Sequence, residues 1–312
     1  MKKPRLIILT GPTSAGKTNL SVMLAKEIGG AVVSADSMQV YKHMDIGSGK
    51  ISSREMQGVE HYLLDVLEPT EEFNVVRFQQ MAQEAITKIF QDGKIPILAG
   101  GTGFYIQSVL YGIDFTSQAD DMEYRRQLEE LAKKEGSHVL HEMLRQVDEV
   151  SAGMIHENNI KRVIRALEYY RFTGEKISEH NRKERQKASP YDFYYFVLTD
   201  ERQKLYERIE KRVDDMLEQG LVEEVKQLVE SGCIRGMTSM QGLGYKEILD
   251  YLEGNISLEE AVYRIKRDTR HFAKRQLTWF KRERDVIWLD RQIYKSDEML
   301  LKKMLAEMDN KK

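Results

Sequence analysis

Gly11-Pro12-Thr13-Ser14-Ala15-Gly16-Lys17-Thr18 is the stretch that decides the fold. It matches G-x-x-x-x-G-K-[ST] in full, a turn whose glycines let backbone N–H groups curl round phosphate oxygens. The helix that follows adds the positive potential of its N-terminus, Lys17 adds a full charge, and Thr18 offers a hydroxyl suited to Mg²⁺. The surroundings fit the motif. The apolar run Leu6–Thr10 precedes it, and Lys17–Ile28 follows, with Leu20, Leu24 and Ile28 on one helical face. Gly29-Gly30 ends that helix. By itself the motif announces a diphosphate, not the molecule that carries it.

Working outward, Ala31–Ala35 reads as a second buried strand ending at Asp36, and Phe78–Phe90 as a helix. Ile95–Ala99 reads as a strand running into Gly100-Gly101-Thr102-Gly103. Near-continuous apolar strands alternating with helices predict an α/β fold, a P-loop NTPase-like parallel sheet flanked by helices. Beyond residue 115 the pattern changes. Glu123–Gly136, Val139–Val147 and Asn159–Phe172 are charged and helical, with no buried strand between them. Phe193–Leu198 then returns as an apolar strand closed by Asp200. Helices follow over Glu201–Gln219, Val222–Ser231, Tyr245–Glu253 and Ser257–Arg284. The chain therefore reads as a core of residues 1–115 and 191–312, interrupted by an all-helical insertion domain at 116–190.

Bulk properties narrow the class. With 312 residues, 41% hydrophobic and 31% charged, there is room for two domains at ~150 residues each. No run approaches the ~18–20 apolar residues of a membrane span, and Leu6–Leu9 is too short for a signal-peptide core. The single cysteine, Cys233, rules out an intramolecular disulfide and a cysteine-cluster metal site. The seven histidines lack metal-ligand spacing. These features lead to the expectation of a cytoplasmic protein with no membrane association. The net charge of −2 does not describe a general polyanion binder, but Arg264–Arg284 carries nine Lys/Arg against Asp268 and Glu283, and such a patch acts locally.

Asp36-Ser37 ends the second strand, at the edge that faces the ligand crevice of an open α/β sheet. A carboxylate there serves as a general base or metal partner, or else caps a helix. Gly100–Gly103 reaches the same edge, either as a close backbone approach with the Thr102 hydroxyl or as a plain turn. Lys161-Arg162-Val-Ile-Arg165 and the basic helix around Lys274, Arg275, Gln276 and Lys281 suit nucleic-acid phosphates or form solvated faces. Arg208 and Arg212, one helical turn apart, clamp a phosphate or lie in solvent. Asp65 is a weak Walker-B-like carboxylate.

Taken together, the segments GPTSAGKT (11–18), SADSMQVYKHMDIGSGK (34–50), AGGTGFY (99–105), NNIKRVIRALE (158–168), RVDDMLEQGLVEEV (212–225), GLGYKE (242–247) and TRHFAKRQLTWFKR (269–282) resemble the tRNA dimethylallyltransferase (tRNA isopentenyltransferase) family in order and spacing. A C-terminal zinc-finger extension like that of eukaryotic members does not follow, which points to the bacterial form. The resemblance implies transfer of a dimethylallyl group from dimethylallyl diphosphate to N6 of adenine 37 in the anticodon loop of tRNA, with Mg²⁺ as cofactor. It implies catalytic roles for Asp36 as base and for Thr102 beside the reacting groups. Gly11, Pro12, Thr13, Ser14, Ala15, Gly16, Lys17 and Thr18, helped by Arg208 and Arg212, would hold the diphosphate, with Mg²⁺ on Thr18. The tRNA would meet Asp36, Ser37, Met38, Gln39, Thr102, Arg125, Lys161, Arg162, Arg165, Gln241, Gly244, Tyr245, Lys246, Lys274, Arg275, Gln276 and Lys281. A flipped adenine is needed for the chemistry, and a monomer suffices for it. The competing readings are a P-loop kinase of a nucleotide or small metabolite, with 116–190 as its lid, and a non-catalytic RNA-binding or NTP-switch protein.

Overall fold

The computed structural model describes residues 3–115 and 122–310. Six strands form one sheet: β1 (Arg5–Thr10), β2 (Gly30–Ala35), β3 (His61–Tyr62), β4 (Ile95–Gly100), β5 (Asp192–Thr199) and β6 (Val286–Asp290). Their order is β3-β2-β4-β1-β5-β6, and every neighbouring pair is parallel. The central strands are apolar on both faces, as burial beneath helices requires.

The helices are α1 (Lys17–Ile28), α2 (Ser53–Met56), α3 (Val75–Gln91), α4 (Gly103–Tyr111), α5 (Met122–Glu135), α6 (Ser137–Val147), α7 (Glu149–Met154), α8 (Ile160–Thr173), α9 (Ile177–Gln186), α10 (Arg202–Glu218), α11 (Leu221–Glu230), α12 (Tyr245–Leu252), α13 (Leu258–Phe280) and α14 (Asp297–Asp309). Two compact units result: Met1–Leu110 with Tyr191–Lys312, and Tyr111–Pro190. Residues 116–121, where the sequence reading begins the insertion, lie outside the described residues. The second unit has its own core, built from Leu128, Leu140, Leu144, Val163, Ile164 and Leu167.

In the first unit, alternate residues of β1 (Ile7, Leu9) and β5 (Tyr194, Phe196, Leu198) face Leu20 and Leu24 of α1 and Leu300, Met304 and Met308 of α14. Helix α3 packs against β2 and β4. It starts where Asn74 Oδ1 accepts the N–H groups of Val76 and Arg77, both at 3.0 Å, an N-cap that satisfies two orphan donors. Because all strands run the same way, the carboxyl ends of β1, β2, β4, β5 and β6 lie along one edge. There they deliver Gly11, Asp36, Gly101, Asp200 and Arg291. Thr102 N–H donates to Ala35 O at 3.2 Å and the Thr10 hydroxyl to Gly100 O at 2.6 Å. These bonds stitch three strand ends together.

Beyond the expected elements the structure adds strands β3 and β6 and helices that include α2, α7, α9 and α14. The expected helix to Arg284 stops at Phe280, and after Asp285, at φ 57°, the chain enters β6. Helix α14 follows, with its apolar positions 300, 304 and 308 spaced i, i+4, i+8. No described helix is long and apolar enough to cross a membrane.

Candidate active site

The P-loop leaves β1 and closes into α1 through Gly16, which sits at φ 86° with the Arg291 guanidinium against its α-carbon, where a side chain would collide. Lys17 Nζ folds back over the cradle, donating to Gly11 O at 3.0 Å and Pro12 O at 2.8 Å. Burial brings its ammonium down to about 8; the neighbouring Arg212 pushes the same way and Asp36 opposes. An anion placed in the loop restores the charge of that lysine.

Arg208 and Arg212 both reach this loop from α10. Arg208 Nε donates to Ser14 O at 3.0 Å, while its Nη2 pairs with the buried Asp200 carboxylate at 2.7 Å. Arg212 Nη1 lies 3.5 Å from Thr13 Oγ1, and its Nη2 donates to Ser48 O at 3.4 Å. Burial depresses the Arg212 pKa, with Asp36 opposing. Lys17, Arg212 and Asp36 are therefore electrostatic neighbours. Arg291 also binds the loop, its Nε donating to Ala15 O at 2.8 Å and its Nη2 pairing with Asp297 at 2.6 Å.

Asp36 is half-buried. One oxygen, Oδ1, accepts the N–H groups of Met38 at 2.8 Å and Gln39 at 3.4 Å. No helix starts there, so this is a turn-closing bond rather than a helix cap. Among the described residues Oδ2 accepts nothing and remains available for a ligand proton. Tyr105, which feels the Asp36 charge, belongs to a chain of edge-on and stacked rings with Phe73, Phe78 and Tyr41. Burial raises the Tyr105 phenol well above its ordinary value, helped by Tyr41 and Asp36. Thr102 opens the turn at the end of β4.

Gln276 differs from its expected place on an RNA surface. Its side chain is buried; Oε1 accepts Thr13 N–H at 2.9 Å and Nε2 donates to Gly101 O at 2.9 Å. It ties the P-loop to the Gly101 turn. Tyr245 is likewise fully buried, its hydroxyl donating to Glu224 Oε1 at 2.7 Å, and Gly244 is buried beside it. Asp65 pairs with the buried Lys50 at 2.5 Å, a lysine it shares with Asp45 at 2.6 Å. Gln241 is exposed and Lys246 lies 3.4 Å from Glu247.

The basic helix α13 divides in two. Arg264, Lys266, Arg267 and Arg270 are paired with Glu260, Asp214, Asp268 and Glu210. Lys274, Arg275, Lys281 and Arg282 are exposed and make no ion pair among the described residues. An open depression of ≈ 420 Å³ is lined by His271, Lys274, Arg275, Thr278, Trp279 and Arg282. In the second unit, Lys161 and Arg162 are exposed on α8 and Arg165 is half-buried. Arg125 forms a two-pronged pair with the buried Glu168, 2.8 Å on each side.

For Mg²⁺ the donor set is informative. Among the described residues no group of three or more His, Cys, Asp or Glu side chains could hold a metal. The exposed Thr18 hydroxyl makes no bond to protein among them. That fits an ion shared with a bound diphosphate and its waters, not one caged by protein.

Parallel sheet, P-loop and the carboxylate beside it define a P-loop α/β protein with a phosphate cradle. The chain belongs to the IPP transferase family, whose model matches residues 39–283. It is 60% identical over 306 residues to a tRNA dimethylallyltransferase of Lachnoclostridium phytofermentans, covering 98% of each chain. Among solved structures it is similar to the tRNA isopentenylpyrophosphate transferase of Bacillus halodurans (43% identity, TM-score 0.70, 98% of this chain and 100% of that one). It is also similar to that of Staphylococcus epidermidis (42%, 0.73, 99% and 100%). A eukaryotic dimethylallyltransferase acting on tRNA matches at 33% identity and TM-score 0.79 over 92% of this chain and 74% of that one.

Proposed function

We propose that this chain transfers a dimethylallyl group from dimethylallyl diphosphate to N6 of adenine 37 in the anticodon loop of tRNA. The observation that carries the reading is the free oxygen of Asp36 beside a P-loop crowded by Lys17 and Arg212. A cradle for a leaving diphosphate and a base for the acceptor's proton share one pocket.

The N6 amine is a weak nucleophile because its lone pair is delocalised into the ring. As N6 bonds to C1 of the dimethylallyl group, the C1–O bond to diphosphate breaks and an N6 proton passes to Asp36 Oδ2. Negative charge grows on the departing diphosphate, where the P-loop N–H groups, Lys17 and Arg212 already stand. Thr18 would hold Mg²⁺, which would supply neutralisation of leaving-group charge. Thr102 would bond the base or the bridging oxygen. Asp36, Ser37, Met38 and Gln39 would receive the extruded adenine. Lys274, Arg275 and Lys281, with Lys161, Arg162 and Arg165, would meet RNA phosphates. We place the enzyme in the cytoplasm, where its tRNA is, and as a monomer, since one chain supplies every group named.

The test uses labelled dimethylallyl diphosphate with unmodified tRNA and no ATP. Label in the RNA with release of one diphosphate per transfer supports the reading. Phosphate transfer from ATP, without prenylation, would establish a kinase instead.

A further inference from the structure

Glu224, on the first turns of α11, spends its whole carboxylate on a loop far away in sequence. Oε2 accepts the N–H groups of Asp45 at 2.9 Å and Ile46 at 2.7 Å. Oε1 accepts Gly47 N–H at 3.0 Å and the Tyr245 hydroxyl at 2.7 Å. The Tyr245 oxygen in turn accepts Ser48 N–H at 3.1 Å. Four consecutive backbone donors are thus gathered by one carboxylate and one phenol, an anion nest filled from within the protein.

The other side of this loop faces the site. Ser48 O accepts Arg212 Nη2 at 3.4 Å and Gln39 Nε2 at 3.5 Å, and Gly49 O accepts Gln39 Nε2 at 3.3 Å. Gly49, at φ 58°, lies against the Arg212 guanidinium so closely that a side chain there would displace it. Arg212 is long and would otherwise sample many rotamers. A loop pinned from behind by Glu224 offers its carbonyls at a fixed place and holds that guanidinium toward Thr13.

We propose that Glu224, seconded by Tyr245, is a positioning residue for prenyl transfer: it shapes the 45–49 loop that aims Arg212 at the diphosphate. This rests on the role given to Arg212 above. Both Glu224 oxygens are taken up by the loop and Tyr245. Its effect passes through the loop, so it appears only when Arg212 is there to be aimed.

Single-turnover transfer and the KM for each substrate test it in Glu224→Gln, Arg212→Ala and the double variant. The amide keeps the shape but turns one acceptor into a donor facing N–H groups. Glu224→Gln is expected to lower kcat/KM for dimethylallyl diphosphate between about tenfold and a hundredfold and leave tRNA affinity unchanged. On the Arg212→Ala background it should cost nothing more, a coupling that mere destabilisation would not give. Tyr245→Phe repeats the cycle with a milder loss, and serves if Glu224→Gln does not fold. If Arg212→Ala impairs transfer and Glu224→Gln multiplies that loss undiminished, the inference is overturned while the Arg212 role stands. If Arg212→Ala alone leaves transfer intact, both fall together.

Discussion

Replacing Gln276 by methionine separates a structural strut from an RNA contact. The side chain joins Thr13 N–H and Gly101 O, each at 2.9 Å, inside the protein. Methionine nearly conserves volume, so no cavity term arises. It strands one backbone donor and one acceptor, at about 1–3 kcal/mol apiece, or roughly 2–4 kcal/mol together after partial relaxation. For a unit of this size that corresponds to a fall in Tm of roughly 5–12 °C. Freed from the Gly101 turn, the P-loop should also bind prenyl diphosphate less tightly. Calorimetric unfolding, titration with dimethylallyl diphosphate, and titration with an anticodon stem-loop alone give the three readouts. The expected pattern is a lower Tm, weaker diphosphate binding, and RNA affinity within about twofold of wild type. An unchanged Tm with RNA affinity lowered tenfold or more would refute the strut and return Gln276 to the RNA surface.

Lys17 gives a pH prediction. Its ammonium titrates near 8 without ligand, and a bound diphosphate holds the charge on, so binding takes up a proton above that pH. Affinity for dimethylallyl diphosphate should be flat below pH 8 and weaken as pH rises through it; a profile flat across that region would contradict the assignment. Lys17→Arg, permanently charged, should remove the weakening. Lys274→Ala and Arg275→Ala should each raise the KM for tRNA far more than that for the prenyl diphosphate and reduce the salt slope of RNA binding by about 0.7; equal effects on both substrates would count against them. Asp65→Asn should leave the Mg²⁺ dependence of transfer unchanged, because that carboxylate is committed to Lys50.

The central part of this architecture was legible because its signals are local. The P-loop has fixed spacing, and strands β1, β2, β4 and β5 are continuous apolar runs between turn residues. Asp36 was placed at the correct edge by its position after a strand. What was hidden depends on distant partners. β3 is two residues long and β6 has partly exposed residues, so neither carries a buried-strand pattern. The amphipathic spacing of α14 is local and present in the sequence, at Leu300, Met304 and Met308. Segment resemblance put Tyr245 and Gln276 on a surface, whereas only packing reveals that Glu224 and the P-loop claim their polar atoms. Arg291 and Asp200 stand in no motif, and Glu224, though it lies within the segment 212–225, has partners only folding brings close: backbone N–H groups of 45–47 and the Tyr245 hydroxyl.

The most direct test of the account is the proton transfer at Asp36. Asp36→Asn keeps an oxygen able to close the turn to Met38 and Gln39 but cannot accept the N6 proton. Single-turnover transfer from dimethylallyl diphosphate to tRNA should fall by about 10²–10⁴-fold, with binding of both substrates retained. Transfer at the wild-type rate in that variant would contradict the account.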